Sequence, residues 1–571
     1  MTLTEPGAPG EFPGSIEVRL RSSVTAGGIV VRVGILIALL GLCGSPGVSA
    51  PVQSATGESQ LGNVEFNVSC NRRAQAMFNE AVAWLHSFEY ERAGAAFGEV
   101  LDLDPSCAMA YWGMAQSLWH QLWATPPSPA DLAMGAEYVQ RARALGAKSD
   151  RERSYIEAIS AIYSNVDELE HRTRTLAYQR AMGKLHSSYP ADREATIFYA
   201  LALLATASPA DKSFENQLKA GALLEALLDD IPEHPGITHY IIHSYDYPEL
   251  ADKALQAARR YAEIAPASAH ANHMPSHIFT RRGLWQESIA TNLNAAAAGR
   301  AFAKAHDVQG RWDEEIHAVS YLMYAYLQIA KDPKAREILE DTRTIKAVQP
   351  VGIKAAYPFA SNPARFALER HAWHEAAALT ELPEWFPWEK YPEAQTITYF
   401  TRALGAARMG DPEQAKIELK MLQKLRRALP ADAKAYWQAQ LEVQANTADA
   451  WIAHAEGRAK DALTLMRFAA DLEDSVDKLP ITPGEVLPAR ELLADMLLEQ
   501  DDPNRAFEEY EAVLRAAPNR FNALFGAGAA ADRMGDPVKA KFYYAALLTQ
   551  SSWAHGTRPG LAHAREYLAE N

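Results

Sequence analysis

The sequence predicts an all-α fold, an array of repeated helix pairs stacked into a solenoid. Small and aromatic residues recur 34 residues apart in separate stretches of the chain. Nothing along it resembles a series of strands, and the alanine-rich segments read as helix almost throughout. The chain has 571 residues and is 48% hydrophobic, an ordinary composition for a folded protein. A stacked array accommodates that length because each unit packs only on its neighbours and escapes the size limit of a single core. The net charge of −15, spread along the chain, argues against a nucleic-acid surface and disfavours strongly acidic partners.

Residues 1–55 read as a signal peptide and flexible N-terminal segment. Arg19, Arg21 and Arg32 precede the apolar run GILIALLGLC (34–43), and the small residues GSPGVSA end at Ala50. The run is short for a bilayer, so no stable membrane span is expected once the signal is removed. The expected location is exported, periplasmic or associated with the cell envelope. Pro51 is a poor residue to follow a cleavage site, so cleavage after Ala50 competes with cleavage after Ala55. Leu42 occupies the place where a lipoprotein carries a small residue before its cysteine, which argues against lipidation at Cys43. Removal of this segment leaves Cys70 and Cys107, an even pair and a disulfide candidate in an exported chain.

The repeats begin in ERAGAAFGEVLDLDP, with Ala93, Phe97 and Pro105. The same spacing returns in NRAFEEYEAVLRAAP as Ala506, Tyr510 and Pro518, and Ala540 and Tyr544 follow 34 residues later. In the middle, Ala220, Ala254 and Ser288 are 34 apart, Pro232 and Pro266 close two units, and Gly283-Leu284-Trp285 forms a turn between helices. The units at RHAWHEAA, RMGDPEQAKIEL and EGRAKDALTLM are degenerate, with spacings of 39, 47 and 44 residues between Ala376, Ala415, Ala462 and Ala506. These residues resemble the tetratricopeptide repeat, two antiparallel helices per unit. The resemblance implies a right-handed superhelix with a concave groove lined by the first helix of each pair. It divides the chain into residues 64–300, an N-terminal array with histidine-rich units; 301–480, degenerate helical repeats; and 481–571, a C-terminal repeat pair and tail. Cys70 and Cys107 each precede the first helix of consecutive units, so a bridge between them would staple the N-terminal end by about 3 kcal/mol.

Two phrases carry the candidate chemistry, HPGITHYIIHSYDYP (234–248) and HANHMPSHIFTRRGLW (270–285). His239 and His273 are 34 residues apart, as are His243 and His277, and each helix bears an H-x-x-x-H pair on one face. With units starting at Pro235 and Ala269, these are fifth and ninth places, and His270 is a second place. In peptide-binding tetratricopeptide proteins such places face the groove. The resemblance therefore implies that the histidines look inward beside Asp246, Tyr247, Thr280 and Arg281. A further unit from Ile316 adds His317, Ser320 and Tyr324, while His86 and His120 match at thirteenth places. Pro275 interrupts the second pair.

Neighbouring helices about 8–10 Å apart allow His239, His243, His273 and His277 to converge on one zinc, copper or iron ion. Asp246, Tyr247 or water would complete the coordination. A metal-free ligand groove and plain packing copied by duplication remain open beside that reading. His371, His374, His454, His555 and His563 are expected to be surface or packing residues. The aromatic WFPWEKYP fits core or groove lining, and LPITPGEVLPARE (479–491) reads as an ordered loop.

No phosphate loop, G-x-S-x-G elbow, H-E-x-x-H or C-x-x-C motif is present. With CAMAYWGMAQS and TPGEVLPARELLADMLLE, the histidine phrases look like those of exported bacterial tetratricopeptide proteins of unassigned role. The expected function is a binding or scaffold protein that holds a protein, peptide or small ligand in its groove. The alternative is a metal-dependent enzyme, with Glu287, Asp246 or Tyr247 near the reacting group.

Overall fold

The computed structural model describes residues 60–571 apart from 124–125, 209–210, 430–434, 553, 555–557 and 571. The expectations for residues 1–55 and for His555 lie outside the described residues. The remainder is a tetratricopeptide-type array of helix hairpins. Among the described residues the strand pairing is confined to Arg311–Trp312 beside Val348–Gln349, which run parallel.

The first hairpin shows why the small-and-aromatic pattern folds this way. Asn71 caps the helix Arg72–His86 by accepting from the Arg73 and Ala74 amides. The chain reverses at Phe88, whose φ is 57°, and returns as Tyr90–Leu103. Phe97 then lies on the next first helix, Ala108–Ser117, where a Cβ at Gly113 would stand 2.3 Å from its ring. At the C-terminal end Tyr510 uses Gly526 in the same way, at 2.2 Å. The repeat thus needs a residue without a side chain where the aromatic of the preceding helix lands.

The stretched spacing of the degenerate units comes from longer helices and, between Ala462 and Ala506, from the loop 475–488. Pro392–Arg408 has 17 residues and Ala435–Ala455 has 21, against 13 in the regular Phe521–Arg533.

The histidine-bearing first helices are Pro235–Tyr245 and the pair Ala269–His273 and Pro275–Arg281. Pro275 does not break the rod: Met274, at φ −53° and ψ −37°, keeps the right-handed helical conformation across the junction. The next first helix is Asp313–Gln328. These helices sit where two apolar cores meet. One core runs from Leu61 to Phe279 and the other from Ile316 to Ala564.

The resemblance implied an open groove at the histidines, and there the structure differs. Exposure is 4% at His270, 5% at Thr280, 2% at His317 and 3% at Tyr324. Two features fill the space. The array curls until distant units touch, so that His86 Nδ1 and the Tyr240 hydroxyl lie 2.9 Å apart and Trp285 donates to the Asn519 carbonyl at 2.8 Å. The loop after Ala459–Asp474 then reaches the histidine helices, with the Thr482 carbonyl accepting from Tyr321 and Lys478 donating to Asp246.

Candidate metal centre

The four histidines expected to share one ion fall instead into two sets of three. His239 and His243 join His270; His273 and His277 join His317. Within each set the three ligand atoms lie within 4.8 Å of one another. Both sets obey one rule of the repeat: the fifth- and ninth-place histidines of a unit meet the second-place histidine of the following unit. The start of each first helix thus lies beside the middle of the one before it.

Nitrogen spacing within the sets is tight. His239 Nε2 stands 3.1 Å from His243 Nε2 and 3.2 Å from His270 Nε2, and His273 Nε2 stands 3.1 Å from His277 Nε2. Two nitrogens bound to one ion at about 2.0–2.1 Å with tetrahedral angles stand about 3.3–3.4 Å apart, slightly farther than these pairs.

The outward nitrogens fix the tautomers. His239 Nδ1 donates to the His86 carbonyl at 2.6 Å, His273 Nδ1 to Asn292 Oδ1 at 2.7 Å, and His277 Nδ1 to Asp246 Oδ2 at 2.9 Å. Asn292 Nδ2 donates to the Ser288 carbonyl at 2.7 Å, which identifies Oδ1 as its accepting end. With Nδ1 carrying the proton, the Nε2 atoms of His273 and His277 both present lone pairs to one another. Burial drives His239, His243 and His273 well below the ordinary imidazole value of 6.5. His277 is lowered to about 4, burial outweighing the opposing pull of Asp246. At neutral pH these rings are uncharged, the state in which imidazole ligates a metal.

Around the sets stands a charged shell. Asp246 accepts from His277, from Arg281 Nε at 2.9 Å and from Lys478 Nζ at 2.9 Å. Burial works against its charge, but Lys478 and Arg281 prevail and hold its carboxyl well below 3.8. Burial brings Lys478 down to about 8. On the far side Glu314 Oε2 lies 3.9 Å from His270 Nδ1. Burial and the nearby Glu314 raise Glu89 to about 7, and burial raises Asp313 to about 7. Glu314 Oε2 and His317 Nδ1 are buried without a hydrogen-bond partner.

Other expected site residues lie elsewhere. The Tyr247 hydroxyl accepts from Gln217 at 3.1 Å, and Thr280 pairs with Ser288 at 3.2 Å. Tyr324 accepts from Arg520, which is also held by Glu369 and Glu491 in a buried ion cluster. Glu287, expected near a reacting group, is 43% exposed at its side chain and faces Arg259 at 3.9 Å. His120 is exposed and stacks on Tyr90 with centroids 4.0 Å apart. His86 instead shares Glu194 with His234, each Nε2 lying 2.9 Å from one carboxylate oxygen. In that third grouping a carboxylate receives each Nε2–H, while His234 Nδ1 is buried without a partner.

Asn292, Lys478, Glu314 and Tyr321 were not anticipated. The Tyr321 hydroxyl donates to the Thr482 carbonyl at 3.1 Å and lies 3.4 Å from His277 Nε2. Sequence offers no signal for Lys478, which is 232 residues from Asp246. Cys70 and Cys107 are joined in a disulfide with Cα atoms 5.0 Å apart.

No family model matches the chain, and no curated protein matches it. Solved structures do. Human IFIT1, as a dimer with m7Gppp-AAAA, aligns over 77% of this chain and 90% of its own at 12% identity, with a TM-score of 0.35. Yeast Tom70 aligns over 87% and 96% at 14% identity and a TM-score of 0.28. A tetratricopeptide repeat protein from Parabacteroides merdae aligns over 62% and 99% at 11% identity and 0.24. At these values the likeness carries nothing about ligand or activity. The statement of fold rests on the helix pairs and their register.

Proposed function

We propose that the protein binds transition-metal ions through two sets of three histidines, His239, His243 and His270 with His273, His277 and His317. One observation carries the reading: His273 and His277 both hold their proton on Nδ1, yet their Nε2 atoms face each other at 3.1 Å. Two lone pairs at that distance have no hydrogen to share, and a cation between them turns a repulsion into two bonds. The outward acceptors supply the orienting partners that metal-bound histidines usually have.

The test is the metal content of the full chain purified without a polyhistidine tag. Retention of zinc, copper or iron that is lost from a His243→Ala/His277→Ala double variant is the expected result. A folded protein that stays metal-free after incubation with each ion overturns the reading.

Two coarser expectations stand with it. Export is supported by the Cys70–Cys107 bridge, since disulfides persist in oxidising compartments. A protein-interaction scaffold is supported by the repeat architecture and by Val538 and Phe542, which are 77% and 66% exposed on the helix Pro537–Gln550.

A further inference from the structure

The two histidine sets are neighbours. The rings of His243 and His277 have centroids 6.2 Å apart, and those of His270 and His273 are 6.4 Å apart. These are only slightly longer than the 4.3–5.0 Å between most ring pairs inside a set. Each set offers three nitrogen donors and no carboxylate oxygen. Resting on the metal-binding reading, we infer that the six histidines hold a pair of copper ions sharing one small bridging ligand, dioxygen when both ions are reduced.

The choice of copper follows from the donors. Hard ions such as magnesium, manganese and calcium favour oxygen ligands, whereas imidazole suits copper, zinc, iron and nickel, and copper heads the affinity order of the divalent series. Zinc also accepts three histidines with one position open, so the preference for copper over zinc rests on the affinity order and on copper's redox step. Copper(I) accepts three nitrogens as they stand.

The choice of a shared ligand follows from proximity, burial and charge. His239, His273, His277 and His317 are each no more than 2% exposed, so whatever fills the open positions is small, a few atoms at most. Of the carboxylates around the sets, Asp246 is matched by Arg281 and Lys478 and Glu314 by Lys354, and Glu89 accepts from the Ser268 hydroxyl. Two copper(I) ions bring a modest charge into this interior. Oxidation to copper(II) doubles it, and buried charge needs a counter-charge close by. An anion between the ions supplies it. The balanced step is transfer of one electron from each copper(I) to dioxygen. Dioxygen becomes a bound dianion at the oxidation level of peroxide, copper–oxygen bonds form, the O–O linkage survives with lowered bond order, and no proton moves.

The experiment uses the full chain stripped of metal and titrated under nitrogen with copper(I) supplied as its acetonitrile complex. Retained copper is counted, air is admitted, and the electron paramagnetic resonance spectrum is recorded before and after azide is added as an anionic probe. The expected result is two coppers per chain that become spectroscopically silent on oxidation, because a bridged pair of copper(II) ions couples its spins, with an absorption band that azide shifts. His270→Ala and His317→Ala, checked for fold by circular dichroism, should each retain a single copper with a full copper(II) signal. Two coppers with full signal intensity in the unmodified protein, or one copper per chain, overturn the pairing. Zinc retention with copper refused overturns the copper assignment and leaves the metal reading intact. Failure to bind any metal overturns both.

Discussion

Asp246 is the residue on which the centre turns, because a single carboxylate orients His277 and neutralises Arg281 and Lys478. Asp246→Asn leaves Lys478, 1% exposed at its side chain, without its partner. Breaking a buried pair in this way costs about 3–5 kcal/mol, and loss of an orienting partner weakens metal binding about 10–100-fold. Urea unfolding and competition with a chromophoric chelator measure the two effects separately. An unchanged affinity would remove His277 from the ligands. The sequence made part of this legible. The 34-residue register put both H-x-x-x-H pairs on one face and His270 at a second place, whereas His317 reached a second place only by starting a unit at Ile316 after an insertion. Their grouping with the preceding pair was hidden, because a spacing within units carries no information about how one helix tilts against the next. Lys478 was invisible for a different reason: its loop has no repeat period to follow.

Among the elements, the first hairpin is tied down at its start. Beside the Cys70–Cys107 bridge, Asp104 accepts from the Asn71 amide at 2.7 Å, and from the Ser106 amide and hydroxyl at 3.0 and 2.7 Å. Those bonds, led by the Ser106 hydroxyl, hold its carboxyl below the ordinary value of 3.8. A lowered folded value means that the stabilisation is fully present above about pH 4 and is lost as pH falls through that lowered value. Exchange of the Asn71 and Ser106 amides, corrected for intrinsic rate, should accelerate between pH 5 and pH 3 while the buried helix amides hold steady. Equal protection at both values would show that the clamp is independent of the charge. The helix pairs themselves were readable from sequence wherever a small residue meets an aromatic, as with Gly113 and Phe97. Where helices lengthen, as in Ala435–Ala455, the period stretched but the pairing held.

At the scale of the whole molecule, the open superhelix expected from the repeats gives way to one whose distant units meet. Gly283 marks the closure: its φ is +62°, and a Cβ there would lie 2.2 Å from the Pro518 carbonyl oxygen. Gly283→Ala should cost on the order of 1–3 kcal/mol and should release the Trp285–Asn519 bond first. A lower melting temperature with altered Trp fluorescence would register both, and an unchanged melt would mean that the contact closes nothing. Sequence could not foresee this meeting, since local periodicity fixes each hairpin while small rotations accumulated over many units decide where the ends arrive. The order in which the chain is made gives the closure a further meaning. All six imidazoles exist once residue 317 has emerged, but the loop bearing Lys478 and the turn at Pro518 come much later. During that interval the ligands stand open to solvent, and the arriving C-terminal helices seal them. Any ion that enters or leaves the finished chain has to pass that seal, so loosening the Lys478 loop should speed exchange in both directions.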